Sequence, residues 1–124
     1  MHRKNIPTEG SFGEEFGYSR AVRIGHDIHV SGTCAQAPDD KGDAYTQTIS
    51  ALGLIKKAIE NAEASLSSVV RTVVYITGTE HAEGVTRAHG EIFGEIKPAS
   101  SLVVVASLLR PHHVVEIEAY AVVE

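Results

Sequence analysis

The chain has 124 residues, 43% of them hydrophobic and 22% charged, which suits one globular domain with one core. A formal net charge of −5, 6% aromatic residues and no Trp leave neither a basic field nor a stacking platform, so no nucleic-acid partner is expected. The single cysteine, Cys34, excludes an internal disulfide, and the longest apolar run, Leu102–Ala106, is too short to span a bilayer; a cytoplasmic protein free of membrane is expected.

Residues 1–17, with Pro7, Gly10, Gly13 and Gly17 and little periodicity, read as an irregular lead-in to a single domain spanning 1–124. Ala21–Ile24 and Ile28–Val30 read as short strands joined by Gly25-His26-Asp27, a hairpin signal. A polar loop, Ala35–Gly42, leads to Asp43 as a helix N-cap, followed by Ile49, Leu52, Ile55, Ile59 and Ala62 at helical spacing. Ser65–Ser68 breaks that pattern. Val69–Thr77 is rich in β-branched residues and predicts a strand.

Val85, Ala88, His89, Ile92 and Phe93 form one apolar stripe, predicting a second helix with Gly94 as a left-handed C-cap and Pro98 just beyond. Two strands, Ser101–Leu109 and Val114–Val123, close the chain around Arg110-Pro111-His112-His113. The order is ββαβαββ, an α+β domain. Two helices cover one face of such a sheet, yet SLVVVASLL and VVRTVVYIT are apolar at odd and even positions alike. Self-association is the economical cover for the second face.

Period two on the last strand puts Glu116, Glu118 and Tyr120 on one face and Ile117, Ala119 and Ala121 on the other. Acids within an apolar strand need a partner, solvent or a task, and solvated acids on an outer face fit the pattern equally well. Ser31-Gly32-Thr33-Cys34 ends a strand with small polar groups where a ligand can approach the backbone, although Gly32 also suits a turn. Cys34 lacks a nearby base and reads as a small, partly buried thiol rather than a nucleophile. The seven histidines match no zinc-ligand spacing, so no metal is expected.

Gly17-Tyr18-Ser19-Arg20-Ala21-Val22-Arg23-Ile24-Gly25, followed by Val30-Ser31-Gly32-Thr33, resembles the YjgF/RidA (endoribonuclease L-PSP) family. So do Gln47-Thr48, Val69-Val70-Arg71-Thr72, Pro98-Ala99 and Val115-Glu116-Ile117-Glu118-Ala119, in an ordered set covering about residues 17–122. The resemblance implies a chorismate-mutase-like homotrimer with a central sheet barrel, outer helices and three clefts between subunits. It also implies hydrolysis of reactive 2-imino acids to 2-keto acids and ammonia, with no cofactor; other members are known as endoribonucleases, translation inhibitors or 2-aminomuconate deaminases.

Carried across by position, the family's pocket tyrosine falls on Tyr18, its strand serine on Ser31 beside Gly32, and its water-handling acid on Glu116. Three positions depart from the pattern. The carboxylate-binding arginine after Pro-Ala is Ser100, an asparagine of the second helix falls near Thr86, and a cysteine two beyond the arginine is Leu102. Losing a charge-assisted bond worth about 1.5–3 kcal/mol weakens carboxylate recognition by roughly ten- to a hundredfold. Arg20, Arg23, Arg87 and Arg110 are the candidate replacements. The expected function is a homotrimer that binds, and in a catalytic form hydrolyses, a small imine, enamine or carbonyl metabolite between subunits. A non-catalytic ligand-binding or regulatory trimer is the alternative, and endoribonuclease activity the weakest of the three.

Overall fold

The computed structural model describes residues 2–124. A six-stranded sheet carries two long helices. In chain order these are β1 (Arg3–Ile6), α1 (Phe12–Phe16), β2 (Ala21–Ile24), β3 (Asp27–Thr33), α2 (Ala44–Asn61), β4 (Val69–Ile76), α3 (Ala82–Phe93), β5 (Ala99–Val104) and β6 (Val115–Val122). The strand order is β1-β2-β3-β6-β4-β5, antiparallel except for the β4–β5 pair, which α3 connects. The expected ββαβαββ core is present, and the chain adds β1 and α1 before it.

The lead-in is therefore not irregular. β1 forms because β2 offers an open edge, with Arg3 opposite Ile24 and Ile6 opposite Ala21. Helix α1 is short; Phe12 and Phe16, one turn apart, stack at 5.4 Å, and Gly17 ends it at φ 83°. That left-handed conformation suits a residue without Cβ. Two further expectations shift. Gly94 stays right-handed (φ −56°), because Ile96 and Lys97 keep donating to the Phe93 carbonyl and the chain reverses at Lys97 (φ 53°). β5 stops at Val104 rather than Leu109, because β4 ends at Ile76 and offers no further partner beyond the bond from Val105 N to Ile76 O.

Asp43 caps α2 as expected, its carboxylate accepting from Thr46 N at 2.8 Å. The helix buries Leu52, Ile55 and Ile59 against Ile28 and Val30 of β3, Ile117 and Ala119 of β6, and Val74 of β4. Val85 and Phe93 of α3 complete this layer. Both helices lie on one face of the sheet. β5 stays uncovered, with Leu102 47% and Val104 52% exposed. Among the described residues no helix is long and apolar enough to cross a membrane.

The first turns of α2 also bury a polar residue that hydrophobic spacing misses. Gln47 is 1% exposed; its amide nitrogen donates to Gly42 O (3.0 Å) and His112 O (3.1 Å), and its oxygen accepts from Val114 N (3.0 Å). One side chain thus ties the loop before α2 to the turn before β6. Gln47→Leu preserves volume but strands three backbone groups, and urea unfolding is expected to show a loss of at least about 2 kcal/mol. Ile55→Ala, a plain cavity in the same helix, is expected to cost about 2–5 kcal/mol.

Candidate functional site

The pairing of β3 with β6 slips between Val30 and Thr33: Val30 faces Ala119, but Thr33 faces Ile117. Two residues of β3, Ser31 and Gly32, thus stand opposite one of β6, Glu118, a bulge that returns Thr33 to the buried side. Glu116 approaches the bulge from β6. A Cβ at Gly32 would stand 2.1 Å from Glu116 Oε2, so Gly32 is the space this carboxylate occupies. Gly32 lies inside a strand and is not a turn residue.

The other oxygen, Glu116 Oε1, accepts a 3.4 Å bond from the Cys34 thiol. Burial, followed by the charge and hydrogen bond of Glu116, pushes that thiol from the ordinary 9.0 up to about 12, with Arg20 pulling the other way. Cys34 is therefore a hydrogen-bond donor at neutral pH, not a thiolate nucleophile. Arg20 fixes the bulge from the opposite side: its guanidinium donates to Gly32 O (3.0 Å), Thr33 Oγ1 (2.9 Å) and Tyr18 Oη (3.2 Å). Ser31 Oγ donates to Ser19 O at 2.7 Å. Tyr18 stands edge-on to Phe12 and Phe16, so α1 braces its ring.

Tyr18, Ser31, Gly32 and Glu116 thus come together around Arg20. The remaining three candidates lie elsewhere. Ser100 pairs with Thr72, and Leu102 with Val74, on the helix-covered side of the sheet; Tyr75, paired with Glu116, points the opposite way. The Thr72 hydroxyl donates to Ser100 Oγ (2.7 Å) and lies 2.9 Å from His89 Nε2. Burial lowers the His89 pKa, and with the Thr72 proton directed at Ser100, His89 Nε2 is the donor to Thr72. Thr86 is exposed on α3.

Three of the candidate arginines have structural partners. Arg20 holds the bulge, Arg23 donates to the carbonyls of Gly25, Ala62 and Glu63, and Arg87 lies 4.2 Å over the Tyr45 ring. Arg110 is exposed in the turn before β6. Arg71, not among those candidates, reaches β5 through a 3.1 Å bond to Ser101 Oγ. It shares the helix-free face with Glu118 and Tyr120, whose hydroxyl donates to Glu118 at 2.8 Å. A concavity of about 400 Å³ on this face is lined by Tyr18, Ser31, His29, Glu118 and Tyr120 among others. Glu116 is outside its lining, so the acid carried over by position and the open hollow are neighbours rather than one pocket. Braced arginine, bulge and carboxylate can orient a polar ligand and a water molecule.

The profile of the endoribonuclease L-PSP family matches residues 9–123. A Streptomyces coelicolor protein is 34% identical over 122 residues, covering 94% of this chain and 91% of its own. A RutC family protein of Pyrococcus abyssi is 37% identical over 108 residues, 84% of each chain. Among solved structures, a YjgF/YER057c/UK114 family member from Mycobacterium tuberculosis superposes with a TM-score of 0.92 at 40% identity, covering 98% of this chain and 100% of its own. The extent of these matches, and the α+β fold they share, make this chain a member of the YjgF/RidA, or endoribonuclease L-PSP, family.

Proposed function

We propose that the chain acts as a homotrimer that binds and hydrolyses a small imine, enamine or carbonyl metabolite in clefts between subunits, gripping it through neutral groups rather than a carboxylate clamp. Glu116 positions and deprotonates water, Tyr18 and Ser31 hydrogen-bond the ligand, and Gly32 makes room for the carboxylate. Ser100, Leu102 and Thr86 line the cleft from the neighbouring subunit. The observation carrying this reading is the division of the site residues between two faces of one sheet. Glu116 stands at the bulge, whereas Ser100 stands on the other face at a bare strand edge. A second copy is the economical way to bring such halves together.

A non-catalytic ligand-binding trimer is the second reading, favoured by two observations. Ser100 stands where the family's deaminases carry an arginine, and the Cys34 thiol already occupies one oxygen of Glu116. Ribonuclease activity has only the family name behind it, against a net charge of −5.

The deciding assay is ammonia release from 2-iminopropanoate generated in situ, beside an arginine-containing family member. Turnover at least about tenfold below that control is expected, lost in Glu116→Ala and raised about ten- to a hundredfold in Ser100→Arg. Turnover equal to the control would overturn the neutral-grip reading. Keto acids or amides that stabilise the protein thermally, with none turned over, would establish the non-catalytic one.

Light scattering is expected to give three times the 13.3 kDa chain mass, and Val104→Asp to yield smaller species that stay folded by circular dichroism. Alkylation of Cys34 at about pH 8 is expected to be slow, since the thiol stays protonated there. Burial is the larger cause of the raised pKa, so Glu116→Gln, which removes only the charge, should speed alkylation modestly.

A further inference from the structure

Away from Glu116, the fold gathers three side chains that nothing above uses. One carboxylate oxygen of Asp40 and one nitrogen from each ring of His112 and His113 lie within 4.8 Å of one another, all three residues half-buried. Asp40 belongs to a single 3-10 turn, Asp39–Lys41, in the loop before α2, and the two histidines to the turn before β6. Gln47 holds both loops at once through Gly42 O and His112 O. The approach of Asp40 to the histidines is thus fixed by a buried amide and does not depend on two mobile surface segments.

The separation of Asp40 and His112 is compatible with coordination. His112 Nε2 and Asp40 Oδ2 are 3.4 Å apart. A charge-assisted N–H···O bond closes to about 2.7–2.9 Å. Two ligands of a tetrahedral ion, at bonds of about 2.0–2.1 Å, stand roughly 3.3 Å apart. His113 Nε2 lies 3.1 Å from Ala35 O, and since a carbonyl only accepts, Nε2 carries the proton and Nδ1 the lone pair. A backbone carbonyl on the second ring nitrogen is the usual support of a metal-bound histidine.

We propose that Asp40, His112 and His113 form a site for a divalent first-row transition ion, foremost Zn²⁺, which clasps the 35–42 loop to the 110–113 turn. Two imidazoles and one carboxylate suit Zn²⁺, Co²⁺ or Ni²⁺ rather than Mg²⁺ or Ca²⁺. Three protein ligands leave a fourth position for water. The three ligand atoms lie within 4.8 Å, so binding requires the half-buried rings to rotate inward, and Arg110 is exposed in the same turn. Its place in the fold is at the junction of the two loops. Ala35, which accepts the His113 bond, follows Cys34, so the clasp steadies the segment that presents the thiol to Glu116.

The test uses the full-length, untagged chain stripped with a chelator. Titration calorimetry with ZnCl₂ is expected to give one ion per chain, with a rise in melting temperature, and Co²⁺ to give a visible d–d band that Zn²⁺ abolishes. Asp40→Asn, the mildest change, should weaken Zn²⁺ binding at least tenfold, and His112→Ala should remove it. His26→Ala, an exposed histidine on the β2–β3 hairpin, should leave it intact. If His112→Ala unfolds, Asp40→Asn and the Co²⁺ band decide. Absence of saturable Zn²⁺ binding, binding indifferent to Asp40→Asn, or equal competition by Mg²⁺ would overturn the site.

Discussion

One extra residue in β3 governs the chemistry-bearing part of this fold. Had β3 and β6 paired without a bulge, Thr33 would point to the face of His29 and Ser31, and no gap would open opposite Glu116. The bulge turns Thr33 inward, where it is 2% exposed, and leaves a glycine beneath the carboxylate. Arg20 secures that irregularity by accepting the role a ladder partner would otherwise play, with bonds to Gly32 O and Thr33 Oγ1. A local defect in pairing is thus stabilised by a charged side chain, and the defect opens the space that the Glu116 carboxylate occupies.

The sheet then separates two kinds of polar group. On the helix-free face stand Glu116, Glu118, Tyr120 and Arg71, half-buried or exposed and bonded among themselves or to neighbouring strands. On the helix-covered face a shorter chain, His89 to Thr72 to Ser100, emerges at the β5 edge. Strand periodicity forbids one chain from bringing these sets together, because adjacent positions on a strand point to opposite faces. The same geometry leaves Leu102, Val103 and Val104 exposed on both sides of β5, an apolar edge without cover inside the chain.

Much of this was legible in the sequence. The alternation of Glu116, Glu118 and Tyr120, the Asp43 cap, the Gly25 hairpin and the apolar stripe of α3 each depend on near neighbours, and local pattern reports them well. Features that depend on distant partners were not legible. β1 reads as polar sequence and becomes a strand only because β2 offers an edge. Gln47 lies on a helix whose aliphatic spacing says nothing of the carbonyls it meets. The meeting of Asp40 with His112 and His113 requires two loops far apart in sequence to be stapled by that same glutamine. The Phe12–Phe16 spacing before Gly17 was a usable signal for α1, but five residues are too few for periodicity to stand out.

The strand order has a temporal side. β6 is made after the other five strands of the sheet, yet it lies between β3 and β4, each of which pairs with it along most of its length. Until it emerges from the ribosome, the β1-β2-β3 meander and the β4-α3-β5 unit share no backbone pairing, and each exposes an unfilled edge. Closure is therefore a single late event, with the loop-closure entropy of both halves lost together. The strand that carries Glu116 is also the one whose arrival turns two nascent fragments into a protein, so the acid and the completed fold appear at the same moment.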